Sequence, residues 1–133
     1  MQSAFTLAEK PLREVLPKIR RGLPAAMFDQ VASTLGLSTS ALAEKLGIAR
    51  RTLTRKQGSG EPLSIEVSEK ILRVARLRNL ARALFTTDEA ISQWLSKPEA
   101  ALEDVAPFDL LDTELGAREV ENLLLSLAHG QFV

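Results

Sequence analysis

The sequence predicts an all-α protein in which an N-terminal helix-turn-helix bundle is joined by a long helix to a small helical C-terminal domain. Three observations carry this expectation. Leucine and alanine dominate, tyrosine is absent, and no stretch sustains the period-two alternation of a half-buried strand. Glycines, prolines and hydroxyl side chains punctuate the chain at intervals of helical length. Finally, "GIARRTLTRK", residues 47–56, sets four basic side chains behind a glycine and a short apolar-periodic segment.

The punctuation predicts about eight helices. The first spans residues 11–21 and stops at Gly22. Pro24 suits the first turn of a second, which runs to Leu35 before Gly36. Ser38 caps a third ending at Leu46, and residues 50–57 form a fourth, followed by a "GSGEP" loop over 58–62. Ser64 caps a long helix reaching Phe85. One of its apolar stripes carries Val67, Ile71, Val74, Ala81 and Leu84, and the other carries Ile65, Leu72 and Leu80. Thr86 with Glu89 and Ser96 with Glu99 have capping-box spacing and place helix starts near Thr87 and Lys97. Pro107 opens a short turn. Thr113 caps a last helix that buries Val120, Leu123, Leu124 and Leu127 and ends at Gly130.

Composition narrows the functional classes. The 133 residues are 45% hydrophobic, enough for one domain, or two very small ones, with a real core. No cysteine is present, which removes disulfides and thiolate metal sites and points to a reducing cytoplasmic setting, and no run is long and apolar enough for a membrane span. Formal net charge is zero, but residues 1–60 carry ten Lys/Arg against four Asp/Glu, while residues 61–133 carry seven against thirteen. The halves are therefore +6 and −6, and phosphate binding belongs to the first. His129 is the only histidine, so catalytic triads and zinc sites lack their parts; no catalytic residue, metal ligand or cofactor is expected. Asp109, Asp112 and Glu114 read as solvated cap and turn residues. Trp94, within a "QWL" segment, reads as core with an indole N–H in need of an acceptor.

The basic stretch completes a helix-turn-helix. Leu42, Leu46, Ile48 and Leu53 supply its apolar positions. Ala43 lets two helix axes approach, and Gly47 accepts the left-handed backbone of the turn. The second helix then displays Arg50, Arg51, Thr52, Thr54, Arg55 and Lys56 around one buried residue, Leu53. Such a helix fits the major groove, where Arg pairs with guanine and Lys or Arg neutralises phosphate. Ser38 and Thr39, at the start of the preceding helix, join this set as candidate DNA contacts. A single motif of this size buries too little surface for tight binding, so a homodimer on operator DNA is expected.

"ARALFTTDEAISQWLSKPEAAL", then "APFDLL", then "TELGAREVENLLLSLAHGQF" resemble the C-terminal domain of the MbcA/ParS/Xre antitoxin family in order and spacing. The matching positions are Phe85, Ala90, Trp94, Leu95, Pro98, Leu102, Pro107, Leu110, Leu111, Gly116, Val120, Leu124 and Gly130. With the helix-turn-helix and the "RLRNLAR" segment between them, the resemblance covers residues 20–133. It implies an Xre-like helix-turn-helix domain over 1–62, a connecting helix over 63–85 and a C-terminal toxin-binding domain over 86–133. It further implies a non-enzymatic antitoxin that binds a RES-domain, NAD-consuming toxin and represses its own operon. Toxin contact would fall on Arg118, Glu121, Leu125, His129, Gly130, Gln131, Phe132 and Val133, the last of these lying at the mouth of the toxin's NAD pocket. The residues alone leave a second reading open, a stand-alone dimeric helix-turn-helix regulator with no toxin partner.

Overall fold

The computed structural model describes residues 2–130, in which eight α-helices and two short 3₁₀ turns occur and no strand beyond one isolated bridge. The first helix, α1 (Ala4–Leu7), has no counterpart among the expected elements. It is one turn long, too short for periodicity to register. Ser3 caps it by accepting from the Thr6 amide, and it buries Ala4 and Leu7 completely. The next helix, α2 (Leu12–Arg21), buries no residue and lies on the surface through half-buried Val15 and Ile19. After it, α3 (Ala25–Thr34) drives Met27, Phe28, Val31 and Ala32 inward. Its approach is fixed by Leu23, whose N–H donates to the buried Ser68 hydroxyl at 2.9 Å and whose carbonyl accepts from Leu63 N–H.

The helix-turn-helix forms as its residues require. α4 (Thr39–Leu46) starts at Ser38, which accepts from the Ala41 amide, and ends at Gly47 with φ +68°. α5 (Arg50–Ser59) extends two residues past the expected end. Gly58 and Ser59, expected in the loop, are helical, because the left-handed residue that stops the helix is Gly60, at φ +74°.

The spine, α6 (Ile65–Ala81), starts at Ser64 as expected but stops four residues short of Phe85. Ala83 and Leu84 donate to carbonyls three residues back, and this tightened turn carries Phe85 toward Trp94. Ile65, assigned to an apolar stripe, is instead 49% exposed at the solvent end of the helix. α7 (Asp88–Ser96) is capped by Thr87, which accepts from the Ala90 amide, and not by Thr86, so the Thr86–Glu89 spacing forms no capping box and marks the helix start one residue early. No helix starts at Lys97. Ser96 turns its hydroxyl back to Ser92 C=O as the last residue of α7, and Lys97 is extended. Beyond it lies only a 3₁₀ turn, Ala100–Leu102, closed by the Glu99–Val105 bridge, so the second capping-box spacing is coincidental.

A second 3₁₀ turn, Pro107–Leu110, leads into α8 (Glu114–Ala128), capped by Thr113. α8 buries Gly116, Ala117, Val120 and Leu124, whereas Leu123 and Leu127 are only half-buried, because the apolar stripe outruns the core near the end of the helix. Trp94 is likewise half-buried, tilted 40° against Phe85 with ring centroids 6.0 Å apart, so its indole is not locked in the core as expected. Buried residues from Ala4 to Leu124 form one cluster around α6, whose Ile71, Val74, Ala75 and Ala81 are essentially fully covered. Each such aliphatic side chain larger than alanine contributes about 1.5–3 kcal/mol relative to exposure.

Candidate functional site

Helix α5 is held by its inner face alone. Leu53 is its one buried residue, resting against α3 and α4, while Thr52 and Lys56 flank it half-buried. Arg51 and Arg55 stack one turn apart on the outer face, with Arg50 and Thr54 forming the adjacent ridge, all exposed. Among the described residues Arg50, Arg51 and Arg55 make no ion pair. Lys56 differs from them, since its ammonium lies 3.3 Å from Glu61 and its side chain is only 20% exposed. The start of α5 has no side-chain cap, as Ala49 requires, and of its first amides that of Thr52 donates to the Ala49 carbonyl at 3.1 Å.

The two residues expected from α4 divide. Ser38 uses its hydroxyl as the helix cap and stays exposed. Thr39 donates its hydroxyl to Asp29 of α3, and the same carboxylate accepts from the Gln57 amide nitrogen at 2.8 and 2.9 Å. Asp29 and Gln57 carry no sequence signal, because pairing across 28 positions leaves no periodic trace. Lys70 is a third such residue: from α6 it donates to Leu46 C=O at 2.8 Å and satisfies a carbonyl at the end of α4.

The candidate toxin-contact residues also divide. Arg118, which pairs with Glu114, and Glu121, which pairs with Arg76 at 2.8 Å, line a groove of about 310 Å³ between α2, α6 and α8, floored by Val15, Ile19, Leu72 and Ala117. Leu125 stands half-buried one turn beyond Glu121 on α8, and His129 and Gly130 follow the helix's last residue, Ala128, both exposed. Gln131, Phe132 and Val133 lie outside the described residues.

The two regions meet at the second 3₁₀ turn. Asp109 accepts from Lys45 of α4 at 2.6 Å, and a side chain at Gly47 would meet Asp112 at ordinary contact distance. At the other end of α6, Arg78 makes a two-pronged pair with Asp88 (2.8 and 3.1 Å) and lies 4.5 Å over the Phe5 ring. Its hydrogen bonds hold the Asp88 carboxyl below the usual aspartate range; burial opposes this, and the charges of Arg78 and Arg82 add to it. No described helix is long and apolar enough to cross a membrane.

Residues 14–76 match the model of the antitoxin Xre-like helix-turn-helix domain, and residues 80–130 match that of the antitoxin Xre/MbcA/ParS C-terminal toxin-binding domain. The chain is similar to the antitoxin Xre of Yersinia enterocolitica, 31% identical over 119 residues that cover 89% of this chain and 80% of the relative. A protein of Sphingobium named Prs ADP-ribosylating antitoxin is 29% identical over 123 residues, covering 86% and 77%. The antitoxin Xre of Pseudomonas putida is 32% identical over 83 residues, covering 62% of this chain and about half (52%) of that protein.

Proposed function

Because the chain belongs to the Xre/MbcA/ParS antitoxin family, non-enzymatic regulators with a helix-turn-helix and a toxin-binding domain, we propose that it neutralises a RES-domain, NAD-consuming toxin and represses its own operon. The observation that carries this reading is the joining, through one core, of an outward helix bearing Arg50, Arg51 and Arg55, which make no ion pair among the described residues, to a domain of the toxin-binding family. The domains are assigned as 1–62, the connecting segment 63–85, and 86–133.

Operator contact is assigned to Arg50, Arg51 and Arg55, with Thr52, Thr54 and Ser38 beside them. Thr39 and Lys56 contribute through the partners they already hold. A homodimer supplies two such helices to half-sites about one turn of DNA apart. Neutralisation is steric: the segment after Ala128 occupies the toxin's dinucleotide pocket while Arg118, Glu121 and Leu125 dock along α8. No bond is made or broken by this chain.

The test is co-production with the toxin encoded beside it. Growth rescue and co-purification are expected. A chain that binds its promoter region but neither rescues growth nor co-purifies with that toxin would be a stand-alone regulator.

A further inference from the structure

We propose that Asp29 is the positioning residue of the DNA-reading surface, fixing the start of α4 and the end of α5 as one rigid unit. The inference rests on the reading of α5 as the DNA-contacting helix.

Asp29 is half-buried on α3, and both of its oxygens are engaged. One accepts from the Thr39 hydroxyl and from the Gln57 amide nitrogen at 2.8 Å; the other accepts from that nitrogen at 2.9 Å. Three helices therefore converge on one carboxylate. Thr39 is the first residue of α4, and Gln57 lies in the last turns of α5. Apolar contact alone leaves α5 underdetermined. It buries a single side chain, its start is uncapped, and it carries Gly58 near its end. A helix pinned by one leucine can roll about that contact, and rolling moves Arg50 and Arg51 relative to Ser38 and Thr39.

A carboxylate beside a phosphate-binding surface is also electrostatically unfavourable, so its presence there requires an offsetting role. Hydrogen bonds to an ionised acceptor are about twice as strong as neutral ones and directional, and they supply that role. A positioning group has a distinct signature. It affects discrimination between DNA sequences, which depends on register, more than the phosphate contacts that set salt dependence.

The experiment compares the parent with Asp29→Ala, Gln57→Ala, the double variant and Asp29→Asn. Each is titrated across a salt series against the DNA upstream of its own gene and against a scrambled duplex of the same length. Amide hydrogen exchange of α5 and α6 is measured without DNA. Asp29→Ala and Gln57→Ala should each lose about tenfold in affinity for the upstream DNA. Affinity for the scrambled duplex should stay within about twofold, with an unchanged salt slope. The double variant should be no worse than Asp29→Ala, since Asp29→Ala already removes the Gln57 contact together with the Thr39 one. Asp29→Asn keeps an acceptor for Thr39 and an amide that pairs with Gln57, and should recover most of the loss. Exchange should quicken in α5 and not in α6. Equal or tighter binding of both DNAs by Asp29→Ala would overturn the proposal, because Asp29 would then act only as a repulsive charge. A parent that binds neither DNA would overturn the DNA-reading assignment itself, a different failure.

Discussion

A Cβ at Gly116 would run into the Leu110 carbonyl oxygen, so α8 approaches the preceding turn as closely as only glycine permits. Because the obstacle is backbone, Gly116→Ala should cost about 2–3 kcal/mol and lower Tm by about 10 °C; an unchanged melting curve would show that the turn yields. The Arg78–Asp88 pair makes a second prediction, with a defined sign. The folded protein holds Asp88 below its ordinary range, so the unfolded chain binds the proton more readily, and the pair stabilises above the unfolded pKa of about 3.9. That stabilisation is lost as pH falls through the lower folded value. Asp88→Asn should therefore lose about 1–2 kcal/mol near neutrality, and its stability curve should converge on the parent's in strong acid. A gap that stays constant down to about pH 2 would contradict the assignment.

Elements were legible wherever the local code was complete. Ser38, Ser64 and Thr113 each cap the next helix and Gly47 stops α4 in the left-handed region, whereas the cap of α7 is Thr87 rather than Thr86 and the stop of α5 is Gly60 rather than Gly58. Local signals failed where tertiary contact overrides them. Ser96 opens no helix because its hydroxyl turns back to Ser92, and α6 ends early because Phe85 is drawn to Trp94. α1 is stable only as a cover for the core, so its few residues gave no pattern. The basic face of α5 was readable from spacing. The Asp29 pairing that orients it was not, since it joins residues far apart in the chain. At this scale the expectation is that Arg50→Ala and Arg51→Ala each weaken binding of the upstream DNA by about 1–3 kcal/mol, with the fold intact by circular dichroism. Undiminished binding by the double variant at the same salt would remove α5 from the DNA.

Across the whole molecule, charge separates two kinds of work while one core holds them together. The basic first half presents its arginines on α5, and the acidic second half ends in α8, whose half-buried Leu123, Leu125 and Leu127 lead toward residue 130. The regions are not independent beads, because Lys45–Asp109 and the α6 spine tie them at both ends. Even so, the end of α8 contributes little burial: its last fully covered side chain is Leu124. Removing residues 129–133 should therefore leave stability and DNA binding nearly unchanged while abolishing protection. The most direct measurement is growth of cells producing the adjacent toxin together with either the full chain or the chain lacking 129–133, at matched levels. The account predicts growth with the first and arrest with the second; equal growth with both would contradict it and return neutralisation to the faces of α8 around Arg118 and Glu121.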